Sequence, residues 1–167
     1  MLKKNQTRKT TARGGRYAIV ASEYNSEYVD CMLEGAQAEM KRAGAEEVRV
    51  IRVPGAYEVP IVAAGLARSA RLRPDAILCL GVILRGETVH AAHIGDAVSR
   101  ALMDIQLRYG VPVIHEVLLL ENRKQAEVRC QDPKHNRGVE AAQTAMAMAD
   151  VMRKLGGRPG RIFKART

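Results

Sequence analysis

"DAILCLGVIL", residues 75–84, decides the fold. From Ala76 to Leu84 every residue is apolar or glycine. A strand with one face in water alternates apolar and polar residues, whereas a strand buried on both faces has no need to. This stretch therefore reads as a central strand of a parallel sheet with helices on both sides. The segments around it fit that reading. "RYAIVAS" (16–22) and "EVRVIRV" (47–53) are short β-type runs before it, and "VPVIHEVLLL" (111–120) is a fourth run after it. Between the first two, Val29, Met32, Leu33, Ala36 and Met40 recur at helical spacing until Gly44. An Ala-rich helix follows residue 58 and runs to about Ser69, with Pro60 tolerable only in its first turn. Further helices are expected over about Val89–Tyr109, Asn122–Val128 and Arg137–Leu155. Strands alternating with helices imply an α/β fold, a three-layer α/β/α sandwich on a four-stranded parallel sheet of flavodoxin-like type.

The 167 residues, 47% of them apolar, suit one domain with a real core. No apolar run is long enough to span a bilayer, and the first residues lack the apolar stretch of a signal peptide. Cys31, Cys79 and Cys130 are odd in number and widely spaced. They suggest neither a disulfide framework nor a metal site, so a cytoplasmic location is expected. The net charge of +9 belongs to the ends. Residues 1–16 and 153–167 carry twelve basic side chains between them and no acid, which leaves the middle of the chain slightly acidic. The expected organisation is a basic tail over 1–15, a domain over 16–155 and a second basic tail over 156–167. For the first tail two readings stand side by side, a disordered segment and an edge strand. Tails of this charge also suit a nonspecific contact with nucleic acid or an acidic partner. With no Trp and only Phe163, aromatic base stacking is poorly supplied.

In open parallel sheets ligands bind beyond the carboxyl ends of the strands. The unusual segments fall there: "SEYNSE" (22–27), "PGAYEVP" (54–60), "RGETVH" (85–90) and "LLLENR" (118–123). In the third, Gly86 permits close backbone approach. Thr88 suits a helix N-cap, and the free N–H groups of that first turn favour an anion. Glu87 beside such an anion should turn its carboxylate away. His90 falls in the same first turn, where an imidazole can move protons at neutral pH. His93 shares its helical face, but no Cys or carboxylate completes a metal set. Tyr24 offers a ring face to a flat heterocycle, or simply packs at a loop. Glu58 can accept hydrogen bonds from hydroxyls, or simply sit in a helix's first turn. Arg129 and Arg137 flank a polar loop as anion clamps or as solvated surface.

Taken in order, "VPGAYEVP" (53–60), "GVILRGETVH" (81–90), "YGVPVIHEVL" (109–118) and "NRGVEAA" (136–142) resemble the 6,7-dimethyl-8-ribityllumazine synthases of riboflavin biosynthesis. The resemblance runs from about Arg16 to Leu155. It implies condensation of 5-amino-6-(D-ribitylamino)uracil with 3,4-dihydroxy-2-butanone 4-phosphate, without metal or organic cofactor. It also implies a homo-oligomer, a pentamer or a shell of pentamers, with sites between subunits. Carried over by motif, Tyr24 would stack on the pyrimidine. Ala56, Tyr57 and Glu58 would line the ribityl side, and Val82, Ile83 and Leu84 would offer backbone contacts. Glu87 and Thr88 would hold the phosphate, and His90 would transfer protons. His115 and Arg129 would come from the neighbouring subunit, Arg129 to the phosphate. The chain departs from the pattern at strand four, where His115-Glu116 and Leu119-Leu120 stand in place of Phe-Gly and two threonines. It departs again at "QDPKHNRG" (131–138), where the family reads "GTKAGNKG".

Overall fold

A computed structural model describes Ala12 and residues 14–156. Four strands, β1 (Arg16–Ser22), β2 (Glu47–Val53), β3 (Ala76–Leu84) and β4 (Val113–Leu120), form one sheet in the order β2-β1-β3-β4. Every pairing is parallel, with Ile19 beside both Val50 and Leu78, and Cys79 beside His115. Helices α1 (Ser26–Arg42), α2 (Val59–Arg68) and α3 (His90–Tyr109) connect the strands, and α4 (Arg123–Ala126) and α5 (Arg137–Lys154) follow β4. This is the expected three-layer sandwich.

Each face of the sheet has its own core. Ile19, Ala21, Leu78, Leu80 and Val82 pack against α1 and α5 through Met32, Ala36, Met40, Ala142 and Met146. Val20, Ile77, Cys79 and Ile83 pack against α2 and α3 through Val59, Ala63, Val98 and Leu102. β3 is buried from Ala76 to Ile83, and its neighbouring residues feed opposite cores. That is why its sequence shows no alternation. Each such Leu, Ile or Val contributes about 1.5–3 kcal/mol on burial. The β2 edge is half-buried up to Arg52 and mixes charged with apolar residues, with Arg49 and Arg52 bonded to Glu47 and Asp30.

The helix limits follow local chemistry. Gly110 ends α3 at φ +60, a conformation costly for other residues, and donates its N–H to Gln106 O. Pro60 stands in the first turn of α2, where no N–H is missed. The helix expected over 122–128 runs on to Gln131 and is of two kinds. α4 stops at Ala126 and runs on as a π-helical turn, Glu127–Gln131. That change of winding is not visible in apolar spacing.

The readings of the basic tails fall almost wholly outside the described residues. At the boundary, Ala12 is fully buried, donates its N–H to Ala43 O at 2.9 Å and accepts from the Tyr17 hydroxyl at 3.4 Å. Among the described residues no helix is long and apolar enough to cross a membrane.

Candidate active site

The sheet order places a topological switch between β1 and β3. α1 leaves β1 towards one face of the sheet, and α3 leaves β3 towards the other. The loops after these strands are tied together. Asn25 adopts φ +56 and its amide donates to Val82 O at 2.7 Å. Glu23 and Tyr24 donate their N–H groups to Val53 O and Pro54 O, at 2.8 and 3.0 Å. Arg85 donates to Leu120 O at 2.8 Å, and its side chain meets Glu121 at 3.3 Å. Four loops are thereby joined along one edge.

Tyr24 and Tyr57 present exposed rings there, 73% and 63% accessible. A Cβ at Gly55 would lie 3.3 Å from the Tyr24 ring and 2.8 Å from a Glu58 carboxylate oxygen. The glycine thus lets an aromatic ring and an acid share one small space. Ala56, Val82 and Ile83 are buried and Leu84 half-buried, so these positions offer mainly backbone to a ligand. One lone pair of Val82 O is already taken by Asn25. Gly86, Glu87, Thr88 and His90 are exposed. Nothing lies within 4 Å of a Cβ at Gly86, so no steric need of its own chain requires that glycine.

The cap of α3 differs slightly from expectation. The N-cap position is Val89, with no side-chain cap bond. Thr88 Oγ1 still faces the His90 N–H, at a long 3.4 Å. Its hydroxyl is therefore weakly engaged and open to a better partner.

His115 and Arg129 stand apart from this edge. His115 is the third residue of β4 and pairs in register with Cys79, well before the strand's carboxyl end. Arg129 lies on the π-helical turn, which packs against α1 and α5, whereas the α3 that carries His90 packs on the opposite face. One chain thus brings together Tyr24, Ala56, Tyr57, Glu58, Val82, Ile83, Leu84, Glu87, Thr88 and His90, but neither His115 nor Arg129.

Two features escaped the sequence reading. Ser22, at the end of β1, is fully buried, and its hydroxyl has no hydrogen-bond partner among the described residues. It sits 3.3 Å from where a Gly81 Cβ would be, a point that Ala56 Cβ also approaches to 3.5 Å. The signal was a polar residue directly after the apolar run Ala18–Ala21. Glu116 is 4% exposed, and Arg137 Nε donates to its Oε1 at 2.8 Å. Arg137 also donates to Glu140 at 2.6 Å. Burial raises the Glu116 pKa, and the bonded Arg137 opposes that rise. Two separate departures in the sequence, at 116 and 137, are thus one ion pair. Asn136 caps α5 beside it: its Oδ1 accepts from Gly138 N and Val139 N, and its Nδ2 donates to Cys31 O and Cys130 O. That one amide fixes the π-helical turn, and with it Arg129, to α1 and α5.

The family model of 6,7-dimethyl-8-ribityllumazine synthase matches residues 14–153. The chain belongs to that family. The lumazine synthase match covers every element from β1 through nearly all of α5. The 6,7-dimethyl-8-ribityllumazine synthase of Stenotrophomonas maltophilia (strain R551-3) is 40% identical over 147 residues, which is 87% of this chain and 94% of the relative. That of Xanthomonas euvesicatoria pv. vesicatoria (strain 85-10) is 39% identical over 150 residues, 89% and 94% of the two chains. That of Xylella fastidiosa (strain M12) is 38% identical over 144 residues, 85% and 92%. The lumazine synthase relatives are thus similar over nearly their whole length.

Proposed function

We propose that this chain condenses 5-amino-6-(D-ribitylamino)uracil with 3,4-dihydroxy-2-butanone 4-phosphate to 6,7-dimethyl-8-ribityllumazine, the penultimate step of riboflavin biosynthesis. The observation that carries the reading is the family match over 14–153, two of whose motifs, at 53–60 and 81–90, fall on the joined loops. The 5-amino group attacks the ketone and water leaves as the imine forms. Phosphate is then eliminated, which leaves a new carbonyl after tautomerisation, and the ribitylamino nitrogen attacks that carbonyl and closes the ring with loss of a second water. Such a sequence needs positioning, an anion pocket and a proton carrier more than a strong nucleophile.

The roles divide by chemistry. Tyr24 stacks on the pyrimidine, and Ala56, Tyr57 and Glu58 take the ribityl chain. Backbone groups of Val82, Ile83 and Leu84 meet the ring. The first turn of α3, with Glu87 and Thr88, holds the phosphate through main-chain N–H groups and the Thr88 hydroxyl. His90 carries protons between the steps. His115 and Arg129 reach the site from the next subunit of a cytoplasmic homo-oligomer, a pentamer alone or assembled into a shell. Mixing the pure protein with both substrates tests this reading: a fluorescent lumazine is expected. Ligand binding without product would instead mean a flavin- or lumazine-binding relative.

Arg129→Ala should raise KM for the butanone phosphate by about tenfold or more, because a charge-assisted pair is lost on that substrate alone. Separate kinetic titrations check this. Equal weakening of both substrates would contradict the phosphate role.

A further inference from the structure

Ser99 stands one turn after Gly95 on α3. Its hydroxyl lies 2.7 Å from Gly95 O and 2.8 Å from His115 Nε2. A hydroxyl has one hydrogen, and two oxygens at 2.7 Å need it between them. Ser99 therefore meets His115 with a lone pair, and Nε2 arrives as an N–H donor. The approach is close because α3 rides low over β4: a Cβ at Gly95 would already touch Leu119 Cδ2 at 3.5 Å. Alternate residues of β4 face opposite layers. Ile114 and Leu120 enter the core under α1 and α5, and Val113 and Val117 the core under α2 and α3. His115 belongs to the second set, so Ser99 on α3 is its natural neighbour.

The ring of a histidine turns easily about its last torsion, and His115 is the exposed residue of the edge strand β4. Among the described residues Ser99 is the hydrogen-bond partner of its Nε2. Partial burial lowers the imidazole's pKa, against a smaller upward pull from a hydrogen bond to its own backbone. The ring is therefore neutral at neutral pH. It offers a flat, uncharged face, suited to a heteroaromatic ring and not to a phosphate.

We propose that Ser99 is a positioning residue that locks the His115 ring as a fixed flat wall for a heteroaromatic ligand bound between this subunit and the next. That the ligand is the ribitylaminouracil rests on the function proposed above.

Ser99→Ala, His115→Phe and the double variant test the lock. Ser99→Ala should weaken ribitylaminouracil binding, read by titration calorimetry, about threefold to tenfold, the scale of one hydrogen bond. The butanone phosphate KM should stay within about twofold. Phenylalanine has no nitrogen for Ser99 to hold, so Ser99→Ala should add nothing in the His115→Phe background. In 15N spectra of the ligand-free protein, the His115 ring nitrogens should show one tautomer, replaced by averaged shifts in Ser99→Ala. Unchanged shifts, or an equal effect of Ser99→Ala in both backgrounds, would overturn the proposal. Absence of lumazine formation by the wild type would instead defeat the proposed reaction, while the ring-nitrogen shifts would still decide the lock.

Discussion

His90→Ala should slow lumazine formation about 10²-fold, the usual loss when a general acid/base group is removed. The side chain is exposed at the start of α3, so its truncation removes no core contact. Fold and assembly should persist, as read by circular dichroism and light scattering. The size of the effect separates two roles. A residue that only borders the site would cost a few-fold, mostly in KM, whereas a proton carrier costs kcat. Steady-state rates within about twofold of wild type would remove His90 from the chemistry.

Gly138→Ala should unfold the protein far more readily than any surface change. A Cβ at that position would lie 1.9 Å from Met32 O and 2.6 Å from Met32 C. Both are backbone atoms of α1, so no side chain can swing aside. The two helices must separate, and they share the core of Ala36, Met40, Ala142 and Met146. A loss of about 3 kcal/mol or more is expected, at the upper end of overpacking costs. For a chain of this length that is about 10 °C in Tm. Gly65 supplies the contrast. It lies in α2, exposed, with nothing within 4 Å of a Cβ. Gly65→Ala should leave Tm unchanged or raise it slightly, by up to about 1 kcal/mol of helix propensity. Thermal unfolding of the two variants side by side checks both; equal shifts would mean the α1–α5 contact is looser than described. Because Asn136 ties the Arg129 turn to the same contact, any folded Gly138→Ala should also bind the butanone phosphate poorly.

The fold was legible because burial writes itself into the pattern. β3, covered on both faces, is apolar throughout, and α1 carries its core stripe at Val29, Met32, Ala36 and Met40. Gly44 and Gly110 marked real helix ends through their positive φ. The candidate site was legible in part, since its loops are contiguous segments with Gly, Pro and chemically active residues. What was not legible depends on contacts distant in sequence. Glu116 and Arg137 looked like separate oddities because only packing of α5 on β4 makes them a pair. Ser99 and His115 meet for the same kind of reason. The π-helical turn after α4 changes winding without changing the apolar spacing. The one-residue shift of the α3 cap lies within the latitude of helix ends, since the Thr88 hydroxyl still faces His90 N–H.

The central claim is that a working site spans two subunits, because the layers that carry His90 and Arg129 lie on opposite faces of the sheet. Mixing tests it most directly. His90→Ala and Arg129→Ala chains are unfolded together in equal amounts, reassembled, and assayed with the butanone phosphate well below its KM. Random mixing leaves about a quarter of the interfaces with both wild-type residues, each supplied by a different chain of a symmetric ring. Activity should therefore return to about a quarter of wild type, well above the two variants reassembled apart. No recovery in assemblies shown to be mixed, or full activity from a wild-type monomer in light scattering, would contradict the account.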